Sequence, residues 1–314
     1  MEIKREGKGM PSVSYRLICT MFRMIGINKK LKQDETGIRK FMDSYIPKQD
    51  HIKVPEAKMQ KKYDFTKKNI EGTDCYITKE KGVRPEKALL YVFGGGYFMP
   101  CDPGDFTFAG QFAEQTGREV YFPIYPLAPR YKLIDSIQSV LVVYREMLKA
   151  YEPENITLFG TSSGGGLIMS LLMYIKEKKL DIPMPAHLVL QSPGLQVPPS
   201  TKQMDVMRKI EPKDVMIAPD FFEVIGKILA GKDEEYLLSP LLYDISGFPP
   251  IDLIYGSWEV MYAYLDDMVK HCENCGVELI PHVGDQMMHC WLAMEMTPEG
   301  REARENVFHM INRI

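Results

Sequence analysis

Gly160-Thr161-Ser162-Ser163-Gly164 sets a serine between two glycines. It directly follows a short apolar run, residues 156–159, and precedes a helical apolar stretch, residues 167–175. The five-residue pattern alone is common, but in a strand–turn–helix setting it becomes specific. The reason is steric. A tight, strained turn pushes the serine hydroxyl outward, and glycines on either side let strand and helix approach closely. Such a hydroxyl is a candidate nucleophile for acyl transfer. A glycine-rich turn that only packs, or one that cradles phosphate, is the alternative; the Lys-Ser/Thr ending of a phosphate-binding loop is missing.

Acyl transfer generates an oxyanion, which needs N–H donors already in place. Phe93-Gly94-Gly95-Gly96-Tyr97 ends an earlier apolar run, Leu89-Leu90-Tyr91-Val92-Phe93, with bare backbone. The amides of Gly95, Gly96 and Ser163 are the expected donors. The hydroxyl also needs a base, and the base an orienting carboxylate. Where the nucleophile sits on such a turn, the chain order is serine, acid, histidine. Of the six histidines, His51 precedes the serine, His187 opens the next strand, and His271 and His309 lie in helical stretches. His289, in the loop 284–291 after the last strand, is the expected base; His282, at that strand's end, is a supporting group. Glu259, just past the strand 251–255, is the expected acid. Asp252 lies inside that strand, and Asp266 and Asp267 are expected to be solvated.

These side chains need a frame to hold them. Apolar runs at 73–78, 89–93, 120–125, 156–159, 188–191, 251–255 and 277–282 alternate with helical periodicity at 133–151, 167–175, up to Cys275 and from 300 onward. That rhythm implies βαβ units and a mostly parallel sheet covered by helices on both faces. Pro123 weakens the strand around it. Two segments fall outside the rhythm. Residues 13–45 are helical, with Val13, Leu17, Ile18, Met21, Phe22 and Ile25 in one apolar stripe. The 192–250 interval, with Met204, Met207, Met216, Phe221, Phe222, Val224, Ile225, Ile228 and Leu229, patterns as helices inserted between strands. We expect a single domain over 1–314, with a helical cap from about 1–50 and about 197–247.

Net charge is −3, and no clustered basic face marks a nucleic-acid partner. Lys29-Lys30 and Lys61-Lys62 read as solvated surface. No run approaches the roughly 18 apolar residues of a membrane span, and Arg16 and Arg23 break the apolar N-terminal stretch, so no signal peptide and a cytoplasmic location are expected. Cys272-Glu273-Asn274-Cys275 lacks the second Cys pair of a zinc site and reads as helix packing. No metal and no cofactor are expected. Oligomeric state is left open, a homodimer included.

Taken in order, these motifs resemble the hormone-sensitive-lipase-like esterases of the α/β-hydrolase superfamily. That family shows His-Gly-Gly-Gly, Tyr-Arg-Leu-Ala-Pro, Gly-Asp-Ser-Ala-Gly-Gly, an acid and a late histidine. The counterparts are Phe93-Gly94-Gly95-Gly96, Tyr125-Pro126-Leu127-Ala128-Pro129, Gly160-Thr161-Ser162-Ser163-Gly164-Gly165, Glu259 and His289. Ser192-Pro193, Ser239-Pro240 and Phe248-Pro249-Pro250 are further echoes. Phe93, Thr161 and Glu259 stand where the family has histidine, aspartate and, more often, aspartate. The resemblance implies the α/β-hydrolase fold and a serine carboxylic-ester hydrolase acting on small-molecule esters of short-to-medium acyl chains. Tyr97, Phe98, Trp258 and Trp291 are the expected pocket residues. A catalytically silent ligand-binding protein on the same fold, an amidase or formamide hydrolase, and a membrane-acting lipase, for which the amphipathic helix from Val13 is the one support, remain the alternatives; stable membrane insertion is not expected.

Overall fold

A computed structural model describes residues 3–6, 9–231 and 234–314. Nine strands form one sheet: β1 (Lys4–Glu6), β2 (Tyr63–Ile70), β3 (Thr73–Glu80), β4 (Ala88–Val92), β5 (Glu119–Pro123), β6 (Ile156–Thr161), β7 (His187–Gln191), β8 (Ile251–Gly256) and β9 (Leu279–Gly284). Their order is β1-β9-β8-β7-β6-β4-β5-β3-β2. All neighbours from β1 through β5 run parallel; β3 pairs antiparallel with both β5 and β2. The fold is the expected α/β-hydrolase sheet flanked by helices.

The central strands β4, β7 and β8 are buried at every position. They read as continuous apolar runs because helices cover both faces and leave no wet side to alternate with. β2 escapes a hydropathy reading for the opposite reason. It is an edge strand, with Tyr63, Phe65 and Ile70 buried and Lys67 and Lys68 exposed. Charge on an edge discourages further strand pairing. β5 ends with Pro123, short of the expected residue 125, although the Ile124 amide still donates to the Asp74 carbonyl of β3 at 2.8 Å.

The chain leaves β4 through the helix Pro103–Thr116 to reach β5 on one side. It then returns through the helix Leu133–Met147 to β6 on the other side. Strand order therefore diverges at β4 and β6. Crevices beyond the C-terminal ends of strands at such a point are where ligands bind in open α/β sheets.

The N-terminal stretch is three helices, Val13–Ile25, Ile27–Leu31 and Glu35–Asp43. Gly26, in the left-handed conformation at φ 69°, ends the first, and Asp34 caps the third. The expected apolar stripe is corrected here. The first helix turns Tyr15, Ile18, Cys19 and Phe22 toward the protein, while Val13, Leu17, Met21 and Ile25 stay exposed. The 192–250 interval holds helices Thr201–Ile210 and Asp220–Leu229. It meets the N-terminal helices through Lys227–Glu35 at 3.0 Å and through Asn28, whose side-chain amide donates to the Asp214 carbonyl at 2.9 Å. Between them Phe98 packs edge-on against Phe41 and Tyr45, and at a tilt against Phe221, with ring centroids 5.3–5.9 Å apart.

One constraint ties this frame to the turn after β6. A Cβ on Gly164 would lie 2.2 Å from the Val92 carbonyl oxygen and 2.3 Å from that of Phe93. Both obstacles are backbone, so neither can swing aside. Gly164→Ala is expected to lower stability by about 1–3 kcal/mol, read as a reduced urea midpoint with an unchanged slope.

Candidate active site

Ser162 is the single residue between β6 and the helix Ser163–Glu177. Its backbone sits at φ 52°, ψ −123°, a conformation that costs an L-residue energy and persists only where the surroundings enforce it. The amide of Ser162 donates to the Gln191 carbonyl at 2.7 Å, which pins the turn to the end of β7. On the far side, a Cβ on Gly94 would come within 2.9 Å of the Thr161 carbonyl oxygen and 3.0 Å of the Ser162 Cβ. The glycine loop therefore lies directly on the turn.

The structure brings the three expected side chains together. His289 Nε2 is 2.8 Å from Ser162 Oγ, and His289 Nδ1 is 2.5 Å from Glu259 Oε2. All three are buried. Glu259 follows β8, and its other oxygen, Oε1, accepts from the Gly256 amide at 2.7 Å and from Ser192 Oγ at 2.8 Å. With both oxygens engaged, the carboxylate cannot rotate away from the imidazole.

Burial alone would disfavour the His289 cation. The neighbouring Cys290 sulfur, 3.5 Å from Nε2, and the Glu259 carboxylate oppose that penalty and hold the imidazole well above its ordinary value. The Glu259 carboxylate dominates, because a charge in contact within a dry site acts strongly.

Two residues of this arrangement have no chemical motif of their own. Ser192, at φ 51° and fully buried, directly follows β7 and donates to Glu259. Asp214 belongs to the inserted segment. Its carboxylate accepts from the amides of Met216, Ile217 and Val260, at 2.8–2.9 Å, so it clamps the insertion onto the residue after Glu259. Burial pushes its pKa up to about 6. Ser-Pro at 192–193 was the only sequence signal for either.

The glycine loop is held without the family's histidine. Phe93 stacks on Tyr125 with centroids 4.3 Å apart, and the Tyr125 hydroxyl donates to the Phe93 carbonyl at 2.7 Å. Gly95 and Gly96 adopt φ 136° and 59°, conformations open to glycine. Ser163 opens the next helix, where backbone N–H groups have no partner within the helix.

The expected pocket residues separate. Tyr97 is half-buried, and its hydroxyl faces the helix after Ser162 at Gly166. Trp258 is half-buried, with Lys213 of the insertion over its ring at 5.8 Å. Phe98 and Trp291 are almost fully buried, the first in the aromatic cluster and the second against Gly284. A cavity of about 200 Å³ borders the site, lined in part by Thr161, Gln191 and Cys290. Neither this cavity, which touches only their chain neighbours Thr161 and Cys290, nor a larger one of about 540 Å³ is lined by any of the three side chains.

Asp252, Asp267, His187 and His282 are engaged elsewhere. Asp252 lies between His187, at 2.8 Å, and His282, at 2.6 Å, and also pairs with Arg313. Burial opposes its charge, but these three partners hold its pKa below the carboxylate range. Asp267 is not simply solvated: it accepts from Gln203 Nε2 of the insertion at 2.8 Å. Cys272 packs in the core.

A family model described as alpha/beta hydrolase fold matches residues 89–293, from the strand before the glycine loop to just past His289. The chain belongs to this α/β-hydrolase family. Among relatives, an acetyl-hydrolase of Streptomyces hygroscopicus is 26% identical over 232 residues, 71% of this chain and 76% of that protein. A putative acetyl-hydrolase, LipR, of Mycobacterium tuberculosis is 23% identical and covers 79% and 80% of the two chains. Among solved structures, an esterase from the bacterial hormone-sensitive lipase family aligns at a TM-score of 0.79 and 21% identity, covering 97% of this α/β-hydrolase and 99% of that chain. A putative esterase from Staphylococcus aureus aligns at 0.79 and 19%, covering 89% and 94%. The resemblance to hormone-sensitive-lipase-like esterases drawn from the motifs agrees with these neighbours.

The rate of any reaction that uses His289 as base rises with pH as the imidazolium deprotonates, so the midpoint of its acid limb lies above the ordinary value of about 6.5. Glu259→Gln removes the stabilising charge, so the limb moves to lower pH while kcat falls about 10³–10⁴-fold. A pH–rate profile of both proteins checks the direction. Ser192→Ala removes one charge-assisted bond to Glu259 and is expected to cost about tenfold in kcat/KM, with little change in KM.

Proposed function

We propose that the protein is a serine carboxylic-ester hydrolase that works through an acyl-enzyme on small-molecule esters of short-to-medium acyl chains. The observation that carries the reading is the bridging imidazole, in reach of both the Ser162 hydroxyl and the Glu259 carboxylate.

In this reading His289 Nδ1–H donates to Glu259, which leaves Nε2 free to accept the Ser162 proton. The Ser162 oxygen then attacks the ester carbonyl. The carbonyl electrons move onto oxygen, held by the amides of Gly95, Gly96 and Ser163. Collapse of that intermediate expels the alcohol, protonated by His289, and leaves the acyl group on Ser162. Water, deprotonated by the same imidazole, releases the acid and restores the site. Ser192 and Gly256 keep Glu259 aimed.

The N-terminal helices and the inserted helices act as the cap over the site, and Tyr97 and Trp258 offer it half-buried aromatic surface. Relatives named acetyl-hydrolase and esterase support ester chemistry. The six cysteines, all free, fit a reducing, cytoplasmic setting. No helix among the described residues is long and apolar enough to cross a membrane. An amidase or formamide hydrolase would use the same side chains, so substrate choice separates the two; a silent binding protein would have no need of the aligned imidazole.

Ser162→Ala is expected to abolish labelling by a fluorophosphonate probe. A p-nitrophenyl ester series is expected to be hydrolysed best at short-to-medium chain length, and matched anilides far more slowly. Persistent labelling of the variant would move the nucleophile elsewhere; faster anilide hydrolysis would favour the amidase.

A further inference from the structure

The helix Val13–Ile25 carries two apolar surfaces, and only one is used by the fold. Tyr15, Ile18, Cys19 and Phe22 face the protein. At 100° per residue, Val13, Leu17, Met21 and Met24 fall within one narrow stripe on the opposite side. Leu17 is 64% exposed, Met24 77% and the preceding Met10 76%. Contiguous apolar surface of this kind marks an interaction site, not chance exposure. Its border is cationic. Arg16 and Arg23 run along one edge of the stripe, and Lys29, Lys30 and Lys32 follow in the next turn of chain. From Gly9 to Gln33 there is no aspartate or glutamate. Glu299 touches this segment, but at the helix N-terminus, where it accepts from the Ser12 amide and hydroxyl. Lys32 pairs with Glu211 on the body side.

We propose that this outward face docks on a membrane leaflet bearing anionic lipid headgroups. An apolar stripe edged by arginine and lysine is the composition of a helix lying in the bilayer interface, and juxtamembrane cations are drawn to the anionic cytoplasmic leaflet. A second copy of the chain fits less well, because a two-fold pairing of this face would bring the cations of both helices together without acids of the same segment to neutralise them.

The docked helix sits on the candidate site. The Tyr15 hydroxyl accepts from the Met288 amide at 2.6 Å, and the Cys19 sulfur lies 3.7 Å from that of Met288, one residue before His289. Docking would therefore place the His289 loop directly behind the lipid-bound helix, one helix diameter from the membrane surface. That this presents lipophilic esters to Ser162 rests on the hydrolase reading above; the docking itself does not.

Co-sedimentation of the full chain with large vesicles tests the proposal. One set is phosphatidylcholine alone; the other carries one third phosphatidylglycerol. The protein is expected to pellet with the anionic set, less so as salt rises. Leu17→Asp combined with Met24→Asp is expected to abolish pelleting, and Arg23→Gln to weaken it about fivefold. Both variants are expected to hydrolyse soluble p-nitrophenyl butyrate like the parent, which shows that they fold. Equal pelleting with both vesicle sets, or pelleting that survives the double variant, overturns the proposal. So does a parent dimer in light scattering that the double variant turns into a monomer, which would assign the face to a second copy. Anionic binding by a parent that hydrolyses no ester would leave docking intact and sink the hydrolase reading.

Discussion

The arrangement depends on one imidazole held between a hydroxyl and a carboxylate that are remote in sequence. His289 sits in the loop after β9, Ser162 between β6 and its helix, and Glu259 after β8. A parallel sheet makes the meeting possible, because its strands end on the same side and deliver their loops to one rim. The rest of the site serves to keep that contact rigid. Ser162 holds a strained backbone, its turn is fixed by the Gln191 carbonyl and by Gly94, and Glu259 has no unpaired oxygen left to drift toward. In a buried setting a misaligned charge would be costly, and an aligned one is worth far more than in water.

The helical segments extend this logic outward. Asp214 anchors the insertion at the residue after Glu259, and Tyr15 anchors the N-terminal helix at the residue before His289. Both helical segments are thus hydrogen-bonded to backbone next to Glu259 and His289.

Much of this was legible from residue types. The glycine-flanked serine and the order serine, acid, histidine single out Ser162, Glu259 and His289, because a fixed topology limits which loops reach the rim. The buried strands were legible as apolar runs. What escaped lacks a local signature. β2 hides because its edge is charged; Ser192 and Asp214 act through hydrogen bonds to other groups, and a lone serine or aspartate has no spacing to reveal that. The stripe on the first helix was legible as apolar, but its direction was not: the helix is amphipathic in two senses, and only the packing of Tyr15 and Phe22 decides which side faces in. Likewise Phe98 and Trp291 read as aromatics near the site, while only coordinates show them occupied by packing.

The central claim is that Ser162, and no other group beside His289, takes up the acyl chain. Cys290, with its sulfur 3.5 Å from the same imidazole nitrogen, is the rival within reach. Acid-quenching the protein during turnover of p-nitrophenyl butyrate, followed by peptide mass mapping, tests this directly. The account predicts a butyryl group on Ser162 and unmodified Cys290. A butyryl thioester on Cys290, or no acylated peptide while ester is consumed, would contradict it.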